Sequence, residues 1–136
     1  MAGLWGRDLR VGTAFMDGEH DELIGVLVAL EERAVAGDPV ACRKLLDDFR
    51  AQVEAHFVHE EALMSEHAFY GTRAHAAQHA LFLHRLDQLY EDPALVRDPR
   101  KVIEFFQTWF ALHTVDSDQP LAQWLHGKGL TAGSVP

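Results

Sequence analysis

The chain has a single cysteine, Cys42, among 136 residues. No internal disulfide can form, and the usage fits a reducing compartment. Basic residues are also scarce, with 12 Lys and Arg against 21 Asp and Glu and a net charge of −9 with histidines neutral. They are scattered, without a stripe on one face, which argues against a nucleic-acid partner. No apolar run approaches the length needed to span a bilayer, and Met1 to Asp8 carry no apolar stretch of signal-peptide length. The expectation is a soluble cytoplasmic protein with no membrane and no nucleic-acid partner; the sequence leaves its protein partner unknown. Strand-like alternation and internal repeats are absent as well. What remains is a 48% apolar composition, enough for one packed core, and nine histidines.

Start and stop signals divide the chain into four helices. Asp38-Pro39 and Asp98-Pro99 each read as a capping acid followed by proline at the first helical position. Gly37 stands where a first helix ends, and Gly71-Thr72 offers a break and a fresh cap. The spacing predicts helices over about 17–36, 39–68, 72–91 and 99–117. Apolar residues step by three or four within each, save for the ten between Val53 and Leu63: Leu23, Leu27, Leu30; Leu45, Phe49, Val53, Leu63; Phe82, Leu86, Leu89; Val102, Phe106, Trp109. One domain over 1–136 is expected: an extended arm over 1–16 with Trp5 and Val11 packing on the bundle, four helices over 17–118, and a short helix and tail over 119–136. The fold class is all-α, an up-down-up-down antiparallel four-helix bundle.

The histidines continue the apolar stripes. His20 precedes Leu23; His56 and Glu60 follow Val53; His75 and His79 lead to Phe82; His113 follows Trp109, with Asp118 beyond it. Residues four apart share one helix face, so each middle pair can address one object. In an antiparallel bundle the starts of helices one and three meet the ends of helices two and four. Helices of this length run ~30 Å, and all seven residues fall at the same end. Five neutral imidazoles buried together without a metal would leave several unpaired nitrogens, which is costly. The pattern suits a shared two-metal centre. A structural zinc fits less well, because the donors exceed a tetrahedral set.

These residues resemble the hemerythrin family, in its single-domain bacterial branch. The likeness rests on Asp17-Gly18-Glu19-His20, on His56-Phe57-Val58-His59-Glu60-Glu61 with Met64 and Tyr70, on His75-Ala76-Ala77-Gln78-His79 with Phe82, and on Trp109-Phe110-Ala111-Leu112-His113 with Asp118. Trp5 and Val11-Gly12 are similar to the family's N-terminal arm, and the resemblance spans roughly 5–120. It implies two iron ions bridged by an oxo or hydroxo group and by the Glu60 and Asp118 carboxylates. His75, His79 and His113 would complete one iron, and His20 and His56 the other, which keeps one open position. There O2 would bind reversibly as hydroperoxide, for storage, delivery or sensing, in a pocket of Leu23, Phe57, Trp109 and Val115. The resemblance implies no enzyme, and the histidine-rich donor set agrees, since di-iron enzymes on bundles carry more carboxylates. The alternatives are peroxidase, oxidase or nitric-oxide reductase turnover at the same centre, or an iron-storage or signalling module.

Several positions stay open. Asp118 lies five residues from His113, off the ideal stripe, and Asp116 lies three away and nearer it. Pro120 is expected to loosen the helix end and let Asp118 swing inward. Glu61 is either an outer partner of the centre or solvated. His59, His67, His84 and His126 read as surface or accessory residues. Three residues depart from the family pattern: Gly71, expected to loosen the turn before the third helix; Thr114, whose hydroxyl could satisfy a local carbonyl or admit water; and His59, an added titratable group beside Glu60.

Overall fold

The computed structural model describes residues 14–129, with side chains from Met16 onward. The expected packing of Trp5 and Val11 lies outside the described residues. Four long helices form an antiparallel bundle: α1 (Ala14–Val35), α2 (Pro39–Glu66), α3 (Thr72–Tyr90) and α4 (Arg100–His113). A five-residue π turn (Thr114–Asp118) follows and leads into α5 (Gln119–Gly127). α1 packs on α2, α2 on α3, α3 on α4, and α4 back on α1. Among the described residues no helix is long and apolar enough to cross a membrane.

Most boundaries follow from local chemistry. The Asp38 side chain accepts from the Ala41 N–H at 3.1 Å and caps α2, with Pro39 in its first turn. Gly37 ends α1 with φ at +72°, a conformation costly for any residue carrying a Cβ. α1 starts at Ala14, so the extended arm expected over 1–16 is helical in its last three residues. α4 starts one residue later than expected, with Pro99 rather than Asp98 at its cap. Gly71 does not loosen its turn: the Thr72 hydroxyl donates to the Phe69 carbonyl at 2.6 Å and closes it. A Cβ on Gly71 would meet the Phe69 ring at 2.7 Å, so glycine is there to let that ring pack.

The largest departure is at the end of α4. The chain does not unwind before Pro120. It widens into a π turn, in which the Gln119 N–H donates to the Thr114 carbonyl five residues back. Pro120 then falls in the first turn of α5, where its missing N–H costs nothing. A five-residue turn brings His113 and Asp118 onto one face, which ordinary α-helical spacing would not.

Two apolar clusters fill the interior. The larger holds Leu23, Leu27, Phe49, Phe57, Phe82 and Phe106 among others; the smaller holds Met16, Leu63, Met64, Phe69, Leu121, Ala122 and Leu125. Each fully buried Leu or Phe contributes about 1.5–3 kcal/mol. Along each of the four bundle segments the chain passes from one cluster to the other through polar residues: His20 between Met16 and Leu23, His56 and Glu60 between Val53 and Leu63. His75 and His79 lie between Phe69 and Phe82, and His113 and Asp118 between Phe110 and Leu121. A polar layer is thus enclosed between two dry ones, and α5 closes the short end.

Candidate metal centre

All seven sequence-predicted polar residues meet in that layer, each at most 4% exposed. Glu60 and Asp118 sit at its middle and divide their oxygens between two groups of histidines. Glu60 Oε1 lies 3.1 Å from Nε2 of both His75 and His79, while its Oε2 lies 2.8 Å from His56 Nε2 and 3.9 Å from His20 Nε2. Asp118 Oδ1 lies 3.1 Å from Nε2 of both His75 and His113, and its Oδ2 lies 3.3 Å from His20 Nε2. Asp116 is exposed, so the π turn selects Asp118 over it. Two sets of donor atoms converge: Glu60, His75, His79, His113 and Asp118 in one, and His20, His56 and Glu60 in the other.

These approaches are close, yet many are not hydrogen bonds. Both oxygens of Glu60 and Asp118, Nε2 of His79 and both nitrogens of His20 are buried without a hydrogen-bond partner. Leaving so many polar atoms unmatched in a dry interior is costly unless another group meets them. The donors aim at common points rather than at one another, as ligands of a cation do. Imidazole and carboxylate suit iron, zinc or copper, and five donors in one set exceed tetrahedral zinc. The residues therefore fit metal ions held by imidazole and carboxylate donors.

Electrostatics agree. Burial disfavours charge on Glu60, but the nearby His56, His75 and His79 hold its carboxyl well below the usual range. Burial and the Glu60 charge both oppose ionisation of Asp118, yet His113, His20 and His75 hold it low as well. Burial likewise works against a charged His56 or His75, but Glu60 and Asp118, joined at His56 by Glu19, outweigh it, pushing them up to about 10 and about 9. Two buried anions are poised here, and in the absence of a metal they draw protons onto the rings.

The outer nitrogens of three histidines are tied down. His56 Nδ1 lies 2.8 Å from Glu19 Oε1, His79 Nδ1 2.9 Å from Glu61 Oε2, and His113 Nδ1 2.9 Å from Gln78 Oε1. The Ser117 hydroxyl donates to the same Gln78 oxygen at 2.8 Å. Such partners fix ring orientation and strengthen a ligating imidazole. Sequence reading left Glu61 open and gave Glu19, Gln78 and Ser117 no role. The only signal was position: Glu19 precedes His20, and Gln78 lies between His75 and His79.

Of the four residues assigned to the ligand pocket, three are near the centre. Phe57 stacks on the His79 ring at 3.8 Å and 3°, and Trp109 stacks on His113 at 4.2 Å and 15°. Leu23 is buried three residues from His20. Val115 is a correction: it is 53% exposed, because the π turn rotates it to the outside. Phe110, edge-on to the His20 ring at 4.7 Å, lies where the sequence reading had put Val115.

The comparisons with known proteins agree with this geometry. Residues 11–125 match the hemerythrin HHE cation binding domain. A bacteriohemerythrin of Aquifex aeolicus (strain VF5) is 31% identical over 120 residues, covering 85% of this chain and 92% of that one. Bacteriohemerythrins of Pseudomonas paraeruginosa (strain DSM 24068 / PA7) and Pseudomonas aeruginosa (strain LESB58) are each 25% identical over 85 residues, 62% of this chain and 56% of theirs. No solved structure gives a significant match. The chain belongs to the hemerythrin family, and its His/Glu/Asp cluster is that of a metal-binding domain.

Proposed function

We propose that the chain is a non-haem di-iron protein that binds O2 reversibly, as a carrier, store or sensor rather than an enzyme. The observation that supports this best is the division of the Glu60 and Asp118 oxygens between three histidines on one side and two on the other. His75, His79 and His113 would hold one iron, His20 and His56 the second, and the two carboxylates both. The iron pair, once bound, would supply the electrons and the free coordination position for reversible O2 binding.

The protein's own residues do the rest. Three imidazoles against two would supply unequal donor numbers, so room for a small ligand would fall on the His20 and His56 side. Leu23 and Phe110 keep that side dry, which limits the proton supply that would release a reduced product. Glu19, Glu61 and Gln78 hold ring orientation. A histidine-rich donor set with only two bridging acids supports a carrier over an oxidising enzyme.

The test is spectroscopic. Iron-loaded, reduced protein titrated with O2 should develop a visible absorption band that disappears on deoxygenation, over repeated cycles. A spectrum unchanged by O2, or one that never reverses, would contradict reversible binding. One observation favours a second reading, turnover of peroxide or nitric oxide at the same centre: the Thr114 hydroxyl is fully buried beside His113 with no hydrogen-bond partner. Turnover no faster than that of free iron would eliminate it.

A further inference from the structure

Glu19 is a two-pronged tie between helices. One oxygen meets Nδ1 of buried His56 at 2.8 Å, and the other meets Nδ1 of His59 at 2.8 Å, where the His59 side chain is half exposed. His56 and His59 stand three apart on α2 and so share a face, while Glu19 reaches them from α1. A glutamate bound at one oxygen keeps much of its rotamer freedom; bound at both, it is fixed. The residue after Glu19 is His20, whose two nitrogens have no hydrogen-bond partner of their own. The tie therefore governs both histidines of one side: His56 directly, and His20 through the setting of α1.

We infer that His59 is a positioning residue, which fixes Glu19 so that His56 and His20 are held ready for the second metal. This rests on the two-metal reading above. It assigns His59, read from the sequence as a surface or accessory group, a specific structural task. The three-histidine side does not depend on it, because His79 and His113 have Glu61 and Gln78.

The test uses the full chain and cobalt(II) alone as the probe metal, with nitrogen-resolved NMR of the His56 ring in the metal-free protein. In His59→Phe the His56 Nδ1–H signal should shift and exchange faster with solvent, and one of the two cobalt affinities should fall roughly threefold while the other holds. Glu19→Gln should lower the same affinity by about tenfold, the lower range for an outer hydrogen-bond partner. His59→Gln keeps a donor toward Glu19 and should restore both readings. A His59→Phe protein with an unaltered His56 signal and unaltered cobalt affinities would overturn the assignment, as would failure of His59→Gln to rescue. Should the unsubstituted chain take up fewer than two cobalt ions, the two-metal reading fails, and the His56 signal still decides the role of His59.

Discussion

On one side of the Glu60 and Asp118 pair, two of three histidines are clamped twice, by a stacked aromatic face and by an outer hydrogen bond. His79 has Phe57 and Glu61, and His113 has Trp109 and Gln78. On the other side His56 has one such bond, to Glu19, and the His20 ring has no outer hydrogen bond and no stacked face, its ring neighbours Phe110 and His56 being edge-on. One half is fixed from several directions, and the other more loosely, through the single Glu19 tie. Rigid ligands impose a coordination geometry, whereas looser ones tolerate a change in it. Under the proposed function, the loosely held half is where a small ligand comes and goes.

The strongest way to break this comparison is to remove the group both halves share. Glu60→Gln keeps the volume but loses the bridging charge, and metal affinity should fall on both sides by at least about 100-fold. His20→Ala should affect one side alone. Isothermal titration with a divalent metal separates the two outcomes, and equal losses from both variants would mean that the halves are not distinct.

Metal removal comes next. Chelation leaves two buried carboxylates facing histidines with no cation, and the thermal midpoint should drop on the order of 10 °C relative to the loaded chain. Calorimetry reads this directly, and identical midpoints would argue against any bound metal.

A smaller effect is the pH dependence of the metal-free chain. His56 and His75 have pKa values raised from 6.5 to about 10 and about 9, so their contribution is fully present below pH 6.5 and is lost as pH rises through those values. Glu60 and Asp118, held low, contribute above the ordinary carboxylate range and lose that share as pH falls. His113 runs the other way, since burial lowers its pKa and its share is lost on acidification below 6.5. Above pH 7 the His113 share is constant, so only the two raised rings change stability there. The metal-free chain should therefore lose stability from pH 7 to pH 10, while the loaded chain, whose rings must be deprotonated to ligate, should not. Parallel profiles from chemical denaturation would contradict this.

The smallest expected effect tests the placement of Val115. Val115→Ala on the exposed face should change stability by no more than about 0.5 kcal/mol, against about 2–5 kcal/mol for Leu23→Ala in the core. A large cost at Val115 would mean that the π turn faces inward.

The four helices and six of the seven inward polar residues were legible because both rest on spacing along one helix. Leu23, Phe49 and Phe82 mark the buried stripes, and His56 with Glu60 or His75 with His79 extends them. Asp118 was legible only through the family likeness, since five-residue spacing suits no α-helix; the π turn supplies the physical reason. Val115 was misplaced on the same account. Contacts that cross helices left no mark in local spacing. Glu19 and His56 are 37 residues apart, Gln78 and His113 are 35, and nothing in either segment alone names its partner. Gly71 was misread because its neighbour Phe69 folds back over it.

The account stands most directly on how many ions the polar layer accepts. Ferrous iron added to metal-free protein without oxygen, followed by removal of unbound metal and elemental analysis, should leave two irons per chain. A plateau at one, or no retained iron, would contradict it.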